Sequence, residues 1–122
     1  MFNWLLGPLV GTSFVSTSVI MSILLLVACH NLGDFAFQSQ WMAMEKGKNW
    51  EVLGYHVLVY TIMFVPLAFL FPKMNLAAVL VIFGSHFVID ACKARWNILK
   101  QIWQDQLCHY GVLGFLLLTG WI

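Results

Sequence analysis

His86-Phe87-Val88-Ile89-Asp90 closes an apolar run that begins near Leu76. Residues four apart lie on one face of a helix, so this pair aims two polar heads in one direction. The pattern recurs three times. His30-Asn31-Leu32-Gly33-Asp34 ends an earlier apolar run, and Asp105-Gln106-Leu107-Cys108-His109 opens the last one in reverse order. His56-Val57-Leu58-Val59-Tyr60 opens the second run with Tyr in place of Asp. All 4 histidines belong to these pairs, together with three of the 5 acidic residues. The other residues read as scaffolding that brings the pairs together.

The chain of 122 residues is 61% hydrophobic and 9% charged, whereas a soluble domain carries about 25% charged residues. The lipid bilayer is therefore the expected solvent. A spanning helix needs about 20 mainly apolar residues, and four spans take up most of the chain. The expected architecture is all-α: a polytopic membrane protein with one four-helix transmembrane domain, residues 1–122, folded as a compact bundle. The net charge of +1 includes no basic block that would grip nucleic acid. Cys29, Cys92 and Cys108 are odd in number and adjoin the histidine motifs, so they are expected as small, buried, reduced thiols. Met1 to Leu6 holds no Lys or Arg, so the charged start of a secretory signal is missing and the first apolar run is expected to remain as a span.

The expected spans are 8–32, 50–71, 76–91 and 102–122. Trp4 and Trp121 suit the headgroup level, and Pro8 suits a first helical turn. Thr12, Ser13, Ser16, Thr17, Ser18 and Ser22 form a small polar face expected to look into the bundle. Gly7 and Gly11 make an isolated GxxxG, read as local packing. Residues 33–49 read as a loop with an interfacial helix anchored by Trp41. Pro66 is expected to kink the second span, and Asn75 to cap the third.

The first and third loops hold Lys46, Lys48, Lys93, Arg95 and Lys100, against Lys73 alone in the second. The positive-inside rule then puts loops one and three in the cytoplasm and both termini outside. In that topology all four pairs share one depth on the cytoplasmic side. The two halves of the chain also echo each other, as a parallel repeat of helix pairs would.

Imidazole and carboxylate are ligands for zinc, manganese and iron. His30, Asp34, His56, His86, Asp90, Asp105 and His109 are the candidate ligands, enough for one or two divalent ions. Asp34, Asp90 and Asp105 double as candidate catalytic groups, as ligands or bases. Asp34 and Asp90 end helices, where the macrodipole is already negative, so each calls for a cation. Lys93 is a candidate phosphate contact at the mouth of the site and Gln38 a second candidate substrate contact, while Tyr60 reads as a packing or supporting residue. The alternative is a His–Asp hydrogen-bonded network with no metal.

The ordered set resembles a family of small bacterial and phage integral membrane proteins, domain-of-unknown-function family 3307. The resemblance rests on His30-x-x-x-Asp34-Phe35-x-x-Gln38, Trp41, Lys46, His56-x-x-x-Tyr60, His86-x-x-Ile89-Asp90-x-x-Lys93 and Asp105-Gln106-x-x-His109. It implies a four-helix protein of the bacterial inner (plasma) membrane and supplies no activity. The pattern is more loosely similar to prophage membrane proteins described as metal-dependent hydrolases.

The first functional expectation is a membrane-embedded metal-dependent hydrolase acting on a phosphate or ester of a lipid-linked substrate. A transporter or channel for metal ions or protons is the alternative, and a non-catalytic membrane subunit is the third. The lipid bilayer is the expected partner, and a homo-oligomer is compatible with so small a bundle.

Overall fold

A computed structural model describes residues 13–122, with side chains from Ser18 onward. The expectations for Trp4, Gly7, Pro8, Gly11 and Thr12, and for the side chains of Ser13, Ser16 and Thr17, lie outside the described residues. The elements are α1 (Ser13–Asn31), α2 (Gln40–Glu45), α3 (Trp50–Ile62), α4 (Leu76–Asp90) and α5 (Ile102–Leu118). Two π-helical turns, Leu32–Ala36 and Ala91–Arg95, continue α1 and α4, and a 3-10 segment, Val65–Phe69, follows α3. No strand occurs among the described residues.

Local chemistry sets the helix starts. Asn49 accepts from the Glu51 amide at 2.8 Å, Asn75 from the Ala78 amide at 3.1 Å, and Ser39 from the Met42 amide at 3.1 Å. Each side chain satisfies one of the amides a helix start leaves free. The Asn75 cap is as expected. α5 stops at Leu118, short of the expected chain end, because Gly120 takes a φ of 74°. The Trp121 amide then bonds Leu116 O at 2.9 Å and the Gly120 amide bonds Leu117 O at 3.2 Å, which closes a Schellman cap.

Two boundaries differ from expectation. The chain does not leave helical geometry at Gly33 but widens into a π-helical turn that carries Asp34. Gly33 permits this by close approach, since a Cβ there would come within 2.8 Å of the Tyr60 Cα. At Pro66 the second span breaks into the 3-10 segment, where a kink was expected, because proline lacks the amide that an α-helix needs there.

Ser18–Ala36, Trp50–Phe69 and Leu76–Arg95 are long and apolar enough to cross a membrane, with 19, 20 and 20 residues. α5 has 17 residues. The buried stripes follow the four-residue spacing of the motifs. Ala78, Ile82, His86 and Asp90 line α4, and Asp105, His109, Leu113 and Leu116 line α5. On α3 the buried face runs from Val52 and Leu53 through His56, Val57, Tyr60 and Thr61. On α4 and α5 one end of the stripe is polar and the other joins an apolar core that includes Leu26, Phe64, Leu67, Ile82, Leu113 and Leu116, while on α3 Leu53 and Val57 pack with Ala91 in a second, smaller cluster. Outward positions carry large apolar side chains such as Leu76, Leu80, Phe115 and Leu118, a surface suited to lipid.

Two expectations about small residues are corrected. Ser18 is exposed rather than turned into the bundle, whereas Ser22, one turn before buried Leu26, is half-buried and donates its hydroxyl back to Ser18 O at 2.9 Å. The cysteines are free thiols as expected, but Cys29 and Cys92 are only half-buried and Cys108 is exposed. Adjacency to a buried histidine rotates a helical neighbour by about 100°, which takes Cys108 out of the core.

The Gly33 contact gives a direct test. Gly33→Ala should lower unfolding free energy by about 1–3 kcal/mol through overpacking against Tyr60. Gly54→Ala, where an added Cβ meets nothing within 4 Å, should be neutral or gain up to about 1 kcal/mol. Denaturation of the two variants in the same detergent checks the contrast.

Candidate metal centre

α1, α3, α4 and α5 deliver the four pairs to one place. His30, Asp34, His56, His86, Asp90, Asp105 and His109 are all buried. His56 Nε2 lies 3.2 Å from His86 Nε2, 3.3 Å from Asp34 Oδ1 and 3.1 Å from Asp90 Oδ2. His86 Nε2 lies 3.7 Å from both Asp34 Oδ1 and Asp90 Oδ1. Most of these separations exceed the 2.7–3.2 Å of ordinary N–H···O bonds. A tetrahedral zinc ion with bonds of about 2.0–2.1 Å holds its ligand atoms about 3.3 Å apart. Asp34, His56, His86 and Asp90 thus converge as donors around a common centre and could hold a metal ion.

Asp34, Asp105 and His109 form a second, overlapping group. His109 Nε2 stands 3.4 Å from Asp105 Oδ1 and 3.3 Å from Asp90 Oδ1. Both His109 Nε2 and Asp105 Oδ1 are buried with no hydrogen-bond partner among the described residues, a condition that buried polar atoms rarely tolerate.

Besides sharing Asp34, the two groups meet ring to ring where His86 Nδ1 lies 3.1 Å from His109 Nδ1. A hydrogen bond there needs one proton. Each neutral imidazole carries a single proton, and its position follows from the hydrogen-bond partners. If His86 donates, His109 holds its own proton on Nε2; if His109 donates, His86 holds its proton on Nε2. With neutral rings, only one of the two Nε2 atoms offers a lone pair at a time.

His30 stands apart from both groups. Its Nε2 is 2.7 Å from Gln106 Oε1 and its Nδ1 is 3.0 Å from Tyr60 Oη. The amide oxygen of Gln106 can only accept, so His30 donates from Nε2 and takes the Tyr60 hydroxyl proton on Nδ1. Gln106 donates through Nε2 to Asp34 Oδ2 at 2.8 Å. Both His30 nitrogens are therefore committed, although the sequence marked it as a ligand. Gln38 donates to the Asp34 backbone carbonyl at 3.0 Å, and its Oε1 is buried without a partner.

A sequence family described as protein of unknown function, DUF3307, matches residues 20–121. The chain belongs to that family. No curated protein and no solved structure matches it.

The family match spans all four pairs and the two lysines that reach them. Lys46 Nζ lies 2.5 Å from Asp90 Oδ2, and Lys93 Nζ lies 2.7 Å from Asp105 Oδ2. Lys93 was marked by its spacing from Asp90, yet it pairs with Asp105 on the next helix. Lys46 was read as a loop charge and as part of the motif set behind the resemblance, with no partner assigned. Nothing local distinguishes it from Lys48, whose partner is the exposed-loop neighbour Glu45. Gln106 and Tyr60 lacked assigned contacts because spacing marks a shared face and says nothing of which neighbour a side chain meets. Tyr60 stacks on His86 with ring centroids 3.5 Å apart and planes at 11°.

Among the described residues the Tyr60 hydroxyl is the one hydrogen-bond donor to His30 Nδ1. Tyr60→Phe should lower unfolding free energy by about 1–3 kcal/mol, the cost of a buried acceptor left unpaired. Denaturant titration in detergent measures it, and an unchanged midpoint would show that this bond is not formed.

Proposed function

We propose that the chain is a membrane-embedded, metal-dependent hydrolase acting on a phosphate or ester of a lipid-linked substrate at the cytoplasmic headgroup level. The observation that carries this reading is the convergence of Asp34, His56, His86 and Asp90 at separations of 3.1–3.7 Å. α5 is read as the fourth span of a single transmembrane domain.

Asp34, His56 and His86 supply a two-histidine, one-carboxylate ligand set. Three protein ligands and one open position are the mark of catalytic zinc sites, and nitrogen–oxygen sets also suit manganese and iron. A bound ion would lower the pKa of water and neutralise charge on a phosphoryl or carbonyl oxygen. Asp90 is held by the Lys46 ammonium on Oδ2, which keeps its other oxygen turned toward His109 and the centre. It is placed to take the proton of an attacking water and to return that proton to the departing alkoxide, which leaves as the alcohol. Asp105 and His109 are supporting groups: with His86 bound through Nε2, its Nδ1 proton goes to His109, and His109 donates toward Asp105 or Asp90. Such partners orient ligand histidines and raise their basicity. This arrangement calls for one ion per chain rather than two.

A metal-free His–Asp network is the second reading, and one observation favours it. His56 Nδ1 is buried with no partner among the described residues, so a His56 that binds metal through Nε2 would bury an unpaired N–H.

Elemental analysis of protein purified without chelator decides between them. The expected result is one divalent transition metal per chain, retained in His30→Gln and lost in His86→Gln and Asp34→Asn. Absence of stoichiometric metal from folded wild-type protein would leave the network reading. Reporter fusions test the sidedness separately. A periplasm-dependent reporter joined after Ile122 should be active, and activity only from fusions in residues 46–49 would invert the topology.

A further inference from the structure

The first loop is fastened to the second π-helical turn right beside Lys46. Gly47 lies so close to the Ala94 carbonyl oxygen that a Cβ there would collide with it. Arg95 donates from Nη1 to Gly47 O at 3.3 Å, and its guanidinium sits 3.9 Å from the centre of the Trp50 ring. A loop charge that served only to orient the protein in its membrane would need no such clamp. The result is a lysine with 8% exposure whose ammonium lies 2.5 Å from Asp90 Oδ2.

An ammonium has three N–H donors. Asp90 is the one acceptor found for Lys46 among the described residues, so a buried cation is left with spare donors beside the proposed centre. Lys93 approaches from the other side, with Nζ 2.7 Å from Asp105 Oδ2 and its side chain 31% exposed. The two aspartates meet at His109 Nε2, 3.3 Å from Asp90 Oδ1 and 3.4 Å from Asp105 Oδ1. Each ammonium thus holds one oxygen of a carboxylate whose other oxygen faces His109.

The charges there decide what can enter. Asp34, Asp90 and Asp105 against Lys46 and Lys93 leave one net negative charge with neutral imidazoles, and an anion is repelled. A divalent ion on Asp34, His56 and His86 reverses the sign. From this, and resting on the metal reading above, we infer that the centre binds a phosphate-type oxyanion through Lys46 and Lys93, and that it does so only once metal is bound. Lys46 is then a substrate-binding residue that keeps one N–H on Asp90 and turns the others to the anion oxygens. Lysine binds phosphate as a point charge and needs no forked geometry. Metal and anion binding are coupled, and each tightens the other by the same factor.

Manganese(II) and inorganic phosphate test this on the purified full chain in detergent, with free manganese read by its electron paramagnetic resonance signal against a protein-free blank. Phosphate should tighten manganese binding by about tenfold in the wild type. Lys46→Gln should still bind manganese, because the ion itself offsets the Asp90 charge, but should lose the phosphate effect. Lys46→Arg should keep it. Manganese binding that phosphate leaves unchanged in the wild type, or tightens equally in Lys46→Gln, overturns the inference and leaves the metal reading standing. No manganese bound to folded wild type overturns the metal reading itself. A parallel series with phosphatidate in mixed micelles separates the sources: stronger coupling than with inorganic phosphate at equal concentration assigns a lipid headgroup, and equal coupling assigns free phosphate.

Discussion

Three carboxylates buried in a chain with a lipid-suited exterior must each be matched by a cation or a hydrogen-bond donor. Asp34, Asp90 and Asp105 are 4%, 2% and 2% exposed. An isolated buried carboxylate costs far more than the few kcal/mol by which proteins are stable. The matching is shared out over the whole chain. Asp90 takes Lys46 from the first loop, Asp105 takes Lys93 from the π-helical turn after α4, and Asp34 takes Gln106 from α5. Removing one partner leaves a buried charge unpaired, which is strongly destabilising, so these contacts tie together segments distant in sequence.

The same demand explains the irregular helix ends. An α-helix that ended at Asn31 would release Asp34 into a loop, whereas continued helical winding holds it on the face of His30, four residues before it. The wider π-helical turn keeps Asp34 against α3, and π-turns recur where a function constrains the backbone. A second π-turn follows Asp90 and presents Lys93 to Asp105. The two halves of the chain thus share an order of helix, π-turn, connection and helix, which extends the echo of the His-x-x-x-Asp motifs into the backbone.

Much of this was legible in the sequence. The four-residue spacing placed His86 with Asp90 and Asp105 with His109 on buried faces, and the apolar residues at the same spacing, Ala78 and Ile82 or Leu113 and Leu116, continue those faces into the core. Asn75 announced a cap in both residue type and position. The π-turns were not legible, because a change of hydrogen-bonding partner by one residue leaves no hydrophobic period to read. Lys46 was hidden for another reason. Its partner lies 44 positions away, and a lysine between loop residues carries no local sign of burial. His30 shows the limit of motif reading, since it shares the spacing of His86 yet has both nitrogens taken by Tyr60 and Gln106.

The reversed order in α5 follows from chain direction. A helix rises about 1.5 Å per residue, so the two members of each pair differ in depth by about 6 Å. α1 and α4 reach the polar end with histidine first, whereas α3 and α5 start from it. Keeping the carboxylates outermost therefore requires Asp-x-x-x-His on α5, and on α3 it puts His56 in the outer layer and Tyr60 in the inner one. The contacts agree with two layers. His30, Tyr60, His86 and His109 join ring to ring, through the 3.0 Å His30–Tyr60 bond, the stacked Tyr60–His86 pair and the 3.1 Å His86–His109 bond. Asp34, His56, Asp90 and Asp105 form the outer layer, where the lysines arrive. The inner layer fixes which nitrogens carry protons, and the outer layer concentrates the negative charge. His86 belongs to the inner layer but reaches His56 across the boundary at 3.2 Å, so proton placement on its imidazole decides whether a nitrogen lone pair or an N–H faces the charged layer above it.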